Sequence, residues 1–154
     1  MGILWLYNNT FAELWKSDEN GQNFQLSNQG IELPMTGVSG ISVMGEYIYI
    51  TSQEIVNGDY INKYRISDLQ LQENTFPTSF NNLNSIPAIS VISNSIAFVL
   101  IKKNDNSQSI YKYNRGWDQI AVLSSISATA QSKSLSMVTS KIGYLFTDYD
   151  FINN

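Results

Sequence analysis

Residues 41–44 read ISVM, and nearly the same run returns at residues 89–92 (ISVI) and 135–138 (LSMV). After a short polar break, each run is followed by a second apolar run that opens with an isoleucine, at Ile48, Ile96 and Ile142. The copies lie about 46 to 48 residues apart, a period typical of one supersecondary unit that buries its apolar face on its neighbour. The pattern predicts a repeat architecture and says nothing about chemistry.

The second half of the unit is distributed unevenly along the chain. It follows the first copy at residues 61–71 and the second copy at 110–121, while its third counterpart, residues 4–15, lies at the opposite terminus. In 110–121 and 4–15 alike, a Tyr-Asn pair precedes an aromatic residue by three positions. We therefore expect a single all-β domain over residues 1–154, with three four-stranded repeats at approximately 38–80, 86–125, and 133–152 completed by 3–16.

Two patterns indicate how the strands are buried. Apolar residues alternate between positions 41 and 50 around Gly45 and Glu46, which predicts a hairpin of two short strands. Residues 96–101 are continuously apolar, and a strand with only one buried face would alternate. We therefore expect this second strand of the repeat to be covered on both faces.

Four short strands per unit, with an inner strand buried on both faces, resemble the blades of a β-propeller of the kelch or tectonin kind. The split unit is similar to the closure in which N-terminal strands complete the last propeller blade. Three blades are too few to close a ring, so the resemblance implies a homo-oligomer, most simply a two-fold dimer with six blades. The subunit seam would then lie near Trp5, Trp15, Tyr144 and Phe146. The alternative fold is a β-trefoil, which closes three four-stranded units within one chain.

Composition argues against several classes of partner. Charged residues make up 14% of the chain, the net charge is −4, and the only adjacent basic residues are Lys102 and Lys103, which is unlike a nucleic-acid-binding surface. No apolar run is long enough to cross a bilayer, and the apolar start at residues 3–7 is too short for a secretory signal. We expect no membrane association, and a cytoplasmic or virion location unless a leader has been removed.

Residue types suited to catalysis or metal binding are scarce. The chain has no His and no Cys, so imidazole bases, thiolate nucleophiles and the metal sites built from them are excluded. Asp148 and Asp150 share one face of an extended segment, but a solvated segment is the preferred interpretation over calcium or acid–base chemistry. Residues 104–106 (NDN) lack the Gly and the closing Glu of a calcium loop, which favours a plain turn. We predict no enzymatic activity, no metal and no cofactor.

The turn around Trp117 is the one candidate ligand site. Arg115 and Asp118 flank the indole and Tyr113 lies beside it, a combination that can stack on a sugar ring and bond its hydroxyls, as in the small propeller lectins that the architecture resembles. Packing between repeats is the favoured interpretation of Trp117. Two functions remain open: a non-enzymatic interaction module that joins other protein subunits in a virion, tail or surface structure, and a carbohydrate-binding lectin.

Overall fold

The computed structural model describes residues 5–8, 13–27, 38–56, 59–78, 80, 83–123 and 132–147, and every regular element in these ranges is a β-strand. In chain order the strands are β1 (Trp5–Asn8), β2 (Glu13–Lys16), β3 (Gln25–Leu26), β4 (Val38–Met44), β5 (Tyr47–Val56), β6 (Asp59–Arg65), β7 (Leu71–Gln72), β8 (Leu83–Ser93), β9 (Ile96–Lys103), β10 (Gln108–Tyr113), β11 (Trp117–Val122), β12 (Ser132–Met137) and β13 (Gly143–Thr147). The predicted all-β class is confirmed. No helix in this part of the chain could span a membrane.

The described strands form four antiparallel sheets, each built from strands consecutive in the chain. We call them the N-terminal sheet (β1-β2-β3), the first four-stranded sheet (β4-β5-β6-β7), the second four-stranded sheet (β8-β9-β10-β11) and the C-terminal hairpin (β12-β13). The described strands of the two termini lie in separate sheets, so the predicted pairing of residues 3–15 with 135–145 is not seen there within one chain. Their pairing between two copies stays a prediction.

The predicted hairpin is present and begins the first four-stranded sheet. Met44 and Tyr47 close the turn between β4 and β5, with Ile41 opposite Ile50 further along the ladder. Gly45 has a φ of 60°, a left-handed conformation that glycine adopts without steric cost. The polar break in the repeat is therefore a two-residue turn.

The sheets pack face to face in the order of the chain. Leu14 of the N-terminal sheet is buried against Ile48 and Ile50. Between the two four-stranded sheets, Tyr49 and Ile61 pack against a group of residues on β8 and β9, namely Ile89, Val91, Ala97 and Val99. Between the second four-stranded sheet and the C-terminal hairpin, Phe98 and Leu100 pack against Leu135.

Strand β9 is buried on both faces, as its continuous apolar run predicts. Val99 and Ile101 point into the cluster shared with the first four-stranded sheet. Phe98 and Leu100 point into the cluster shared with the C-terminal hairpin. The second four-stranded sheet is therefore an inner layer of the stack, as is the first.

Strands β4 and β8 approach each other closely because the position between them is a glycine. A Cβ atom on Gly40 would lie only 3.0 Å from the Cα of Ala88 and 2.9 Å from the hydroxyl oxygen of Thr51. That hydroxyl donates to the carbonyl of Ile86 at 2.8 Å in a buried setting. The Thr51 hydroxyl thus joins β5 of the first four-stranded sheet to β8 of the second by a polar contact, in addition to the apolar packing between the sheets.

Candidate functional site

The carboxylate of Asp59, at the start of β6, anchors the irregular loop that follows β7. It accepts the backbone N–H of Thr78 at 3.1 Å, the Thr78 hydroxyl, and the side-chain amide of Asn74 at 2.9 Å. The Asn74 amide also donates to the carbonyl of Ile61 at 2.7 Å, and its oxygen accepts the N–H of Phe76 at 3.0 Å. Side-chain hydrogen bonds therefore hold a loop that has no ladder of its own.

This anchored loop places Phe76 at the centre of an aromatic cluster between the two four-stranded sheets. Phe76 is fully buried, with its ring centroid 5.5 Å from that of Tyr49 and 5.2 Å from that of Tyr113. Burial raises the pKa of Tyr49. Tilted and edge-on rings at these separations stabilise a core beyond the area that they bury. The aromatic cluster comprises Tyr49, Phe76, Phe80, Tyr111, Tyr113 and Trp117.

Trp117 belongs to this cluster, and its indole contacts both the loop that follows β7 and the facing residue of its own sheet. The indole N–H donates to the carbonyl of Pro77 at 2.9 Å. The indole ring lies 5.1 Å from Tyr113 and 5.3 Å from Phe80, centroid to centroid. These contacts support the packing interpretation of Trp117.

The other residues of the candidate sugar site have a different setting. The structure brings Tyr113 and Trp117 together, while Arg115 is exposed on the turn between β10 and β11 and Asp118 is exposed at the start of β11. Arg115 has a φ of 66° in this turn, which the N–H of Asn114 closes by donating to the carbonyl of Gly116 at 2.9 Å. Sugar binding by this turn stays a prediction.

The residues predicted at a subunit seam lie on the terminal strands. Trp15 is half-buried, and its indole N–H donates to the Glu13 carboxylate at 3.1 Å. Tyr144 is 69% exposed. The side chains of Trp5 and Phe146, like residues Asp148 and Asp150, lie outside the described part of the chain.

The carboxylates with a lowered pKa all lie in exposed turns. Hydrogen bonds from the Gln22 backbone and the Asn23 amide lower the pKa of Asp18, and the Arg65 guanidinium lowers that of Asp68. The Ser107 hydroxyl and N–H lower the pKa of Asp105, which lies with Asn104 and Asn106 in an exposed turn. Among the described residues, no group of three or more potential ligands could hold a metal ion.

The serine of the repeated tetrapeptide makes the same hydrogen bond at two successive sheet interfaces. Ser42 accepts the backbone N–H of Val91 at 2.9 Å, and Ser90 accepts the backbone N–H of Met137 at 3.0 Å. In both cases a hydroxyl on the first strand of one sheet bonds the first strand of the next sheet. The repeated serine was visible in the sequence, but its role was not, because each partner lies 47 or 49 positions away.

The comparisons with protein families and curated proteins do not assign the chain to a family. No protein-family model matches the chain, and no curated protein matches it. The contacts between sheets are thus the features from which a function can be inferred.

Proposed function

We propose that this chain is a non-enzymatic structural module that assembles with further subunits through stacked β-sheets. The observation that carries the proposal is the uncovered face of the C-terminal hairpin. Tyr144 of β13 is more than half exposed, as are Val138 and Ile142 in the turn that joins β12 to β13, while Leu135 and Leu145 pack against the second four-stranded sheet. Large apolar side chains exposed close together in the chain are typical of an interaction surface.

A propeller-like arrangement is the architecture that we favour for the assembly. The sheets are separate, they follow the order of the chain, and the first strands β4, β8 and β12 lie side by side. In a β-trefoil, strands of successive units would instead pair to close one barrel. Among the described strands, the C-terminal hairpin has two strands where the sheet beside it has four, which supports a ring completed by more than one chain.

The polar side chains that the structure brings together support a structural role. Asp59 and Asn74 anchor the loop that carries Phe76, and Ser42 and Ser90 join neighbouring sheets. Each of these groups is used in a contact that holds the fold. The larger assembly that we propose is a virion, tail or surface structure.

The partner that we propose first is a second copy of the chain in a two-fold dimer. Light scattering coupled to size-exclusion chromatography over a range of micromolar concentrations tests it. We expect a species of twice the 17.4 kDa chain mass. A species that keeps the mass of one chain at every concentration would reject self-assembly and favour a fold that closes within one chain.

The lectin proposal has a separate test on the same sample. Arg115 and Asp118 are exposed beside the half-buried Trp117, so a sugar could reach both charged groups. If the turn binds sugar, a glycan array gives a signal that Arg115→Ala removes while the melting temperature stays unchanged. An array without signal contradicts the lectin function.

A further inference from the structure

The repeated serine has an aromatic residue directly opposite it in all three sheets that carry the repeat. Ser42 is paired with Tyr49, Ser90 with Phe98, and Ser136 with Tyr144 across the ladder between the first two strands. Residues opposite each other in an antiparallel pair lie on the same face of the sheet. Each of these sheets therefore presents one serine–aromatic pair on one face.

Two of the three pairs are covered by the sheet that follows. Tyr49 and Phe98 are buried almost completely, the first against the β8 side of the next sheet and the second against β12. The residue that follows the next repeated serine, Val91 or Met137, supplies the backbone N–H that the hydroxyl accepts. The covering element is thus the first strand of another sheet of the same kind.

The third pair is uncovered, and the matching position on the first four-stranded sheet is partly exposed. Tyr144 is 69% exposed and Ser136 is exposed with it. Val43, which follows the first repeated serine as Val91 and Met137 follow theirs, is 39% exposed. Among the described residues, the series of repeats therefore begins with the partly exposed Val43 on β4 and finishes with an uncovered serine–aromatic face.

The N-terminal sheet leaves part of the surface around Val43 open. Leu14 covers Ile48 and Ile50 on the first four-stranded sheet. Val43 instead borders an open cleft that is also lined by Lys16 of β2. A hairpin placed there would lie beside the N-terminal sheet, at the position where a first strand is missing among the described elements.

We infer that the Ser136–Tyr144 face docks on the β4 edge of a second copy of this chain, with the Ser136 hydroxyl accepting the backbone N–H of Val43. The contact repeats a third time the interface that the fold already uses twice. In a two-fold dimer both copies make it, so that the C-terminal hairpin of each lies beside the N-terminal sheet of the other. This inference rests on the proposed function and specifies its partner surface.

Complementation of two charged variants tests the contact. Tyr144→Lys removes the docking face but keeps the β4 edge, and Val43→Lys does the reverse. We expect each variant alone to sediment as one chain and an equimolar mixture to give dimers, because one intact contact can form between the two. Val122→Lys, at an exposed apolar position on β11, is the matched control and should remain as dimeric as the parent.

A milder variant measures the hydrogen bond itself. Ser136→Ala should raise the dimer dissociation constant by about 3- to 10-fold, the usual range for one hydrogen bond, without lowering the melting temperature of the dilute monomer. Melting curves of all variants at low concentration verify that they fold. A parent that sediments as one chain would reject the proposed assembly. A dimeric parent whose Tyr144→Lys and Val43→Lys variants stay dimeric, or fail to complement, would reject this contact alone.

Discussion

Replacement of Asp59 by alanine should destabilise the protein more than any other single change to an aspartate in the described residues. The substitution removes the acceptor for the N–H and hydroxyl of Thr78 and for the amide of Asn74. It also releases the loop that buries Phe76 and places the Pro77 carbonyl on the indole of Trp117. The damage therefore reaches the interface between the two four-stranded sheets.

The magnitude follows from the number of hydrogen bonds and from their exposure. A hydrogen bond to a charged group contributes about 1.5–3 kcal/mol, but Asp59 is only half-buried and water replaces part of what is lost. Because Asn74 keeps its bond to the Ile61 carbonyl, we expect a total loss of about 2–4 kcal/mol. In a domain of this size such a loss lowers the melting temperature by roughly 5–15 °C.

Thermal unfolding followed by circular dichroism measures the loss, and tryptophan fluorescence in a variant that carries Phe at positions 5 and 15 reports the environment of Trp117. Asp105→Ala is the matched control, because Asp105 bonds only residues of its own exposed turn and should change the melting temperature little. The double variant Asp59→Ala/Asn74→Ala should be less destabilised than the sum of the two single variants, since both act on one network. If Asp59→Ala and Asp105→Ala have the same melting temperature, the Asp59 carboxylate does not anchor the loop that follows β7.

Three further outcomes are expected. Gly40→Ala should lower the melting temperature clearly, whereas Gly116→Ala should not. A Cβ atom at Gly40 would lie 3.0 Å from the backbone of Ala88, while a Cβ atom at Gly116 would meet nothing within 4 Å. Equal melting temperatures of the two variants would refute the close approach. Ser90→Ala leaves an N–H without its acceptor and should lower the free energy of unfolding by about 1–3 kcal/mol in urea titrations; an unchanged midpoint would contradict the contact between sheets. The pKa of Asp18 is lowered in the folded state, so at about pH 4 the unfolded state binds more protons than the folded state. Asp18 therefore contributes to the free energy of unfolding above pH about 4, and this contribution is lost at lower pH. Asp18→Asn should therefore flatten the acid limb of urea midpoints measured from pH 6 to pH 2, and an unchanged limb would refute the assignment.

Local patterns predicted the strands well because the order of apolar and polar residues within a few positions indicates which faces of a strand are buried. The alternation around Gly45 and the continuous run at residues 96–101 both identify strands that the structure contains. Strand β3 was not predicted, because it has only two residues within a turn-rich segment and pairs with β2 through Trp15 and Lys16 alone. Short strands of this kind depend on a neighbour rather than on their own sequence.

The sites were harder to predict because their partners are distant along the chain. Asp59 and Thr78 are separated by 19 positions, and no spacing rule links a carboxylate to a loop that far away. Phe76 lies between Glu73 and Pro77 outside any periodic run, yet it is fully buried. Trp117 could be singled out from its neighbours in sequence, whereas the direction of its N–H depends on where the other sheet lies.

The inner positions of the two four-stranded sheets should govern the order in which the protein opens. Each of them has a neighbouring sheet on both faces, whereas the C-terminal hairpin packs against the second four-stranded sheet on one face. In a stack where each layer contacts only the layers beside it, the ends fray first and the middle exchanges its amide hydrogens last. The amides of β5 and β9 should therefore persist longest in deuterium oxide, and those of β13 should exchange early unless a partner caps the stack.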